Sequence, residues 1–171
     1  PVKPFKFTDE PRVSGPVAKK VTVIHKQNKD TSSSFVYDDL EQAYQRFVVN
    51  GPYTDLLKPE QRLYYANVVV LRTRLTFNWS SSNPLMPDAI SGTGAADIFI
   101  GGRYIAGAWS RVNPQGRTIF HDENGEEITF NRGKTWIIQA DVDTDVSYDS
   151  AVSLDDLLPI AKGEAFVPTL D

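Results

Sequence analysis

His121 stands beside Asp122, and Ser91 and Ser110 fall in the same block of short apolar segments, so an imidazole-activated serine is the first chemistry this chain offers. The surroundings argue against it. No Gly-x-Ser-x-Gly elbow presents a nucleophile on a sharp turn, and the other histidine, His25, closes a predicted strand far away in sequence. His121 therefore reads as a residue flanking a turn. Carboxylates alone hydrolyse glycans when two of them stand about 5 to 9 Å apart, which keeps open a glycan- or peptide-acting hydrolase using carboxylates or His121. The chain has no cysteine, so disulfides, thiolate catalysis and cysteine-ligated zinc are excluded. The inventory favours a domain without catalysis.

Several acidic or glycine-rich stretches imitate binding motifs and fail on spacing. Ser91-Gly92-Thr93-Gly94-Ala95-Ala96 lacks the third glycine of a dinucleotide loop and leads into Asp97-Ile98-Phe99-Ile100, a strand rather than a helix. Gly92 and Gly94 then serve a bulge or a close backbone approach within a strand. Aligning Gly125 of Asp122-Glu123-Asn124-Gly125 with the sixth position of an EF-hand loop puts Phe120 first and Asn131 twelfth, where Asp and Glu are required. Asp141, Asp143 and Asp145 fail the same test at Val146 and Val152. Asp38-Asp39 imitates a carboxylate dyad but stands where Asp caps a hairpin turn. Neither a cofactor nor a metal is expected.

Binding without catalysis needs only exposed side chains and an open sheet edge. Trp79, in the polar stretch 78–89 with Met86, is the best surface aromatic. Arg72 and Arg74 alternate along one strand and offer an anion site, while Tyr104 and Arg111 are candidates on a later one. Trp109 and Trp136 sit within strands and are assigned to the core.

The elements that position these residues are strands. Eleven Gly, eleven Pro and 11% aromatic residues, without helical periodicity, favour a β-rich chain with many turns. Residues 17–26 alternate, 35–37 and 44–49 flank a hairpin turn, and 68–77 form a β-branched run passing into alternation. Gly101-Gly102 marks a two-residue hairpin, and Asn113-Pro114-Gln115-Gly116 another turn. The fold class is mostly β, an antiparallel sheet or meander forming a small barrel or sandwich. One or two short helical turns are expected, at Pro59-Glu60-Gln61 and after Ser153. The divisions are an extended lead-in at 1–16, a β-rich core at 17–140 and an acidic tail at 141–171.

That tail carries eight acids and one lysine, net −7, so the remainder is net +3 within a total of −4. Neither part has the clustered basic face that binds nucleic acid. No apolar run approaches the ~20 residues that span a bilayer. A chain opening at Pro1 without Met is expected to be a processed piece of a longer protein, with any signal or anchor upstream.

An ordered set of short motifs then adds a resemblance. It comprises Phe5-Lys6-Phe7, Tyr37-Asp38 with Tyr44-Gln45-Arg46, Asn50-Gly51 with Asp55, Asn67-Val68-Val69-Val70 and Gly92-Thr93-Gly94-Ala95. Gly107-Ala108-Trp109-Ser110-Arg111, Asp122-Glu123-Asn124-Gly125-Glu126-Glu127-Ile128 and Gly133-Lys134-Thr135-Trp136-Ile137 complete it. Over residues 4–138 the chain resembles the C-terminal domain of the YerB-type bacterial lipoproteins. The resemblance implies a secreted, lipid-anchored envelope protein with a separate N-terminal domain, and it brings no catalytic residue. The expectation is a non-catalytic, extracytoplasmic cell-envelope binding domain whose partner is an envelope protein, a peptide or a glycan. Membrane contact is then made only through an anchor outside this chain. A structural spacer is the third reading.

Overall fold

Val68, Val69 and Val70 are each fully shielded from solvent, so their strand is covered on both faces, as its unbroken apolar run requires. The structure is a computed structural model that describes residues 4–10, 12, 14–26, 32–48, 51–77, 85–87 and 91–153. In chain order the strands are β1 (Lys6–Thr8), β2 (Lys20–Ile24), β3 (Ser33–Asp38), β4 (Ala43–Val48) and β5 (Gly51–Pro52). Then come β6 (Tyr64–Tyr65), β7 (Asn67–Arg72), β8 (Leu75–Phe77), β9 (Leu85–Pro87) and β10 (Gly92–Ile100). The last are β11 (Arg103–Arg111), β12 (Ile119–Asp122), β13 (Thr129–Asn131), β14 (Thr135–Ala140) and β15 (Asp145–Asp149).

Two sheets carry the architecture. One has the order β12-β11-β10-β7-β14, antiparallel except where β14 joins β7 in parallel. The other is antiparallel with the order β15-β2-β3-β4-β5, and β6 also pairs with β4. Val21, Val23 and Phe35 of the second sheet meet Val68, Val70 and Phe99 of the first in a shared core. On the other face of the first sheet, Val69, Ile98, Ile105, Trp109 and Phe120 build a second core with Phe130. Phe5 closes that core, with its ring 5.5 Å from Phe130 and 6.2 Å from Phe120, while β1 pairs in parallel with β13.

Neither sheet closes on itself, so no barrel forms: β12 and β14 remain the edges of one sheet, and β15 and β5 those of the other. The expected helical turns also give way, since no helix occurs among the described residues. At 59–61 the chain makes isolated turns instead. Asp55 Oδ1 accepts from the Leu57 amide at 2.8 Å and a Thr54–Arg62 bridge pins the ends, which leaves no room for helical progression. The helix expected after Ser153 lies outside the described residues. Residues 68–77 are two strands rather than one, because the Thr73 amide donates to the Ala140 carbonyl at 2.9 Å before the chain turns off into β8. β9, within the stretch expected as loop, pairs with β8.

The hairpin chemistry follows the sequence closely. Gly101 and Gly102 both take positive φ, 61° and 70°, between β10 and β11. Asp38 caps the β3–β4 turn, its Oδ1 accepting from the amides of Leu40 and Glu41 at 2.8 and 3.3 Å.

Candidate functional site

Alternation sets Thr93, Ala95 and Asp97 of β10 on the same face as Ala106, Ala108 and Ser110 of β11. The register pairs them directly: Thr93 with Ser110, Ala95 with Ala108, Asp97 with Ala106. β12 extends the rows, with His121 opposite Ala108 and Ile119 opposite Ser110. This face continues the one that Phe99, Val68 and Val70 present to the shared core. Here, however, the opposing sheet has run out among the described residues. Its last strand, β15, reaches Phe99 and Tyr104 through Tyr148, at ring distances of 6.1 and 4.7 Å. Beyond it Thr93, Ala95, Ala106 and Ala108 are exposed.

A charged cluster fixes one end of the face. Arg72 Nε donates to Asp97 Oδ2 at 2.8 Å, and Arg72 Nη1 donates to the Thr144 carbonyl at 2.7 Å, tying β7 to the segment that enters β15. The Tyr104 hydroxyl donates to Asp97 Oδ1 at 3.0 Å. Burial, reinforced by that carboxylate, pushes the Tyr104 phenol up to about 12, so it remains a donor at neutral pH.

At the other end Ser110 Oγ lies 3.1 Å from His121 Nε2, and His121 Nδ1 lies 3.2 Å from the Gly125 carbonyl. With its proton on Nδ1, the ring leaves Nε2 to accept from the serine hydroxyl, which is the geometry of a nucleophile and its base. Asp122 does not orient the ring. Its Oδ1 accepts from the amides of Asn124 and Glu126 at 2.9 and 3.0 Å and shapes the turn in which Gly125 takes a φ of 80°.

The structure thus gathers Arg72, Tyr104, Ser110 and His121 on one face. Arg111 points to the other face by alternation and donates to Thr118 Oγ1 from Nε and Nη2 at 2.9 and 2.6 Å. Arg74 follows β7 as an exposed residue, and Trp79 lies outside the described residues. Trp109 is 5% exposed and belongs to the core. Trp136 is half-buried instead, because its ring packs between Tyr53 and Tyr65 with the Arg46 guanidinium 4.3 Å from its centre. Sequence reasoning missed Asp97 and all of β15. The inward alternation of Val146 and Tyr148 was the available signal.

A second concavity of about 460 Å³ lies between the β3–β4 turn and β13. Gln42, Tyr64 and Lys134 line it, and Asp9 pairs with Arg132 at 2.7 Å on its rim. Among the described residues, no three His, Asp or Glu side chains gather as a metal would require, and no helix is long and apolar enough to cross a membrane.

Residues 21–137 match the family described as "Protein of unknown function (DUF3048) C-terminal domain". The chain belongs to this family. The crystal structure of the YerB protein from Bacillus subtilis is similar to it with a TM-score of 0.63 at 19% identity, covering 84% of this chain and 47% of that one. At such identity the likeness is one of fold, and this DUF3048 C-terminal domain spans about half of the YerB chain. No curated protein matches the chain.

Proposed function

We propose that this DUF3048 C-terminal domain is a non-catalytic interaction module of a bacterial cell-envelope lipoprotein, and that it binds an extended polypeptide over the uncovered face of β10, β11 and β12. One observation carries the reading: among the described residues the second sheet ends at β15, whose Tyr148 stacks on Tyr104 of β11, and beyond that contact Ala95, Ala106 and Ala108 lie exposed as an open strand position in the sandwich. The floor of that position is made of small side chains, Ala95, Ala106 and Ala108, which accept the side chains of an incoming strand without a preformed pocket. The extracytoplasmic setting and the lipid-anchored parent are supported by the ordered motifs shared with the YerB-type proteins. A glycan fits less well, since sugars are held by flat aromatic platforms and the exposed floor has none.

Selection of linear peptides from a displayed random library tests the reading. Binders should lose affinity on Ala108→Glu, which places a charge on the floor, and keep it on Lys134→Glu, which alters the separate concavity. Selection of no peptide, or of peptides indifferent to Ala108→Glu, overturns it.

A second reading is favoured by the 3.1 Å contact between Ser110 and His121: hydrolysis of an ester or amide on the same face. The carbonyl of Gly125 stands where a hydrolase places a carboxylate, so Nδ1 faces a neutral acceptor rather than a charged one.

A further inference from the structure

The open position has a wall as well as a floor. β15 pairs with β2 along one side, and no strand pairs with its other side among the described residues, which leaves a row of backbone donors and acceptors facing the gap. A strand added there would lie about 4.8 Å beyond β15 and roughly 10 Å above the first sheet. Tyr148 of β15 already stacks on Tyr104, and Ala106 and Ala108 follow Tyr104 in the same row of β11.

The charge on this wall selects the occupant. Val146 and Tyr148 point inward, so Asp145, Ser147 and Asp149 point outward. Lys26 stands 3.7 Å from Asp145 and 3.8 Å from Asp143, and Lys20 is opposite Asp149 in the β2 register. Lys20 thus faces Asp149 on one side of β15, and the outward carboxylates of Asp145 and Asp149 favour a basic neighbour on its open side. A second copy of this chain is the wrong occupant, because an antiparallel β15–β15 pair sets Asp145 against Asp149 twice. The chain's own residues 154–171 are also wrong, with four acids and one lysine.

Resting on the interaction reading above, we propose that the occupant is an extended segment of a basic partner protein, added as a further strand to the free edge of β15. Two of its basic residues, four positions apart, lie beside Asp145 and Asp149, and the intervening alternate residues, apolar and medium-sized, face Ala106 and Ala108. Backbone pairing supplies the attachment and the two charges supply the choice of partner.

The test uses the full chain and three fluorescein-labelled probes with Gly-Ser flanks: Lys-Val-Thr-Val-Lys, Glu-Val-Thr-Val-Glu, and the lysine peptide N-methylated at alternate amides. Fluorescence anisotropy should show the lysine probe binding about tenfold or more tightly than the glutamate probe, the difference expected of two attractive against two repulsive cross-strand pairs. The N-methylated probe, which keeps the charge but cannot pair, should not bind. Asp145→Lys with Asp149→Lys should invert the preference. Asp149→Asn, a milder change checked by its thermal midpoint, should reduce it. Amide exchange of β15 should slow when the lysine probe is bound.

Equal binding of the N-methylated probe overturns strand addition. Equal binding of the lysine and glutamate probes, with β15 protected, overturns the basic occupant and leaves the interaction reading standing. Failure of all probes, together with failure of the library to yield peptides sensitive to Ala108→Glu, overturns both.

Discussion

Trp109 occupies the space that Gly94 leaves empty, its indole Nε1 donating to the carbonyl of Arg72 at 2.8 Å across the glycine. The contact links the two faces of the first sheet. Trp109 sits in the core beneath, while the residue whose carbonyl it holds sends its guanidinium to Asp97 at the margin of the open face. A methyl group at position 94 would overlap the indole nitrogen and stand 2.7 Å from the Arg72 oxygen. Gly94→Ala should therefore destabilise the fold by about 2 to 4 kcal/mol, from overpacking and a lost hydrogen bond. Urea unfolding followed by tryptophan fluorescence measures it, and an unchanged midpoint would show that Trp109 has an alternative seat.

Arg46 lies between two rings, 4.3 Å from Trp136 and 4.5 Å from Tyr53, and its Nη2 donates to Ser33 Oγ at 2.9 Å. Its planar head stacks where an ammonium cannot. Arg46→Lys should cost about 1 kcal/mol and Arg46→Ala about 2 kcal/mol. Thermal unfolding of the two variants beside the wild type decides it, and a lysine variant as stable as the wild type would reduce the contact to simple charge.

His25 is held below its ordinary value of 6.5 by burial, with the Arg46 charge adding to the effect. As pH falls, the unfolded chain takes up this proton first. Its contribution to stability is complete above 6.5, is lost as pH drops from there to the folded-state value, and stays lost below. Denaturant midpoints between pH 7.5 and 5.5 should fall for the wild type and fall less for His25→Gln. Parallel profiles would remove His25 as the cause.

Ser110 and His121 separate binding from catalysis. A fluorophosphonate probe at neutral pH should leave Ser110 unlabelled, since the Gly125 carbonyl does not stabilise an imidazolium as a carboxylate would. Labelling abolished by both Ser110→Ala and His121→Ala would instead establish the hydrolase.

Much of the fold was legible because the turns are written in single residues. Gly101-Gly102 can adopt paired positive φ without strain, Asp38 caps its own hairpin, and the valines of β7 mark a strand covered on both faces. The open face was not legible. Its constituents are alanines, a threonine and a serine, and what unites them is that no strand among the described residues lies opposite, a property of sheet order rather than of local pattern. β15 was hidden by composition: Asp145-Val146-Ser147-Tyr148-Asp149 reads as an acidic stretch, yet Val146 and Tyr148 alternate inward. Arg72 was legible as a candidate but not as a partner of Asp97, because the pairing is made across β7 and β10, 25 residues apart.

The central claim, that the uncovered face and the edge of β15 form the binding surface, is tested most directly by backbone NMR of the labelled protein titrated with the lysine probe. Shifts concentrated at Ala95, Ala106, Ala108 and Ser147, with Tyr64 and Lys134 unmoved, are the predicted result. Shifts confined to Tyr64 and Lys134, or no shifts at saturating probe, would contradict it.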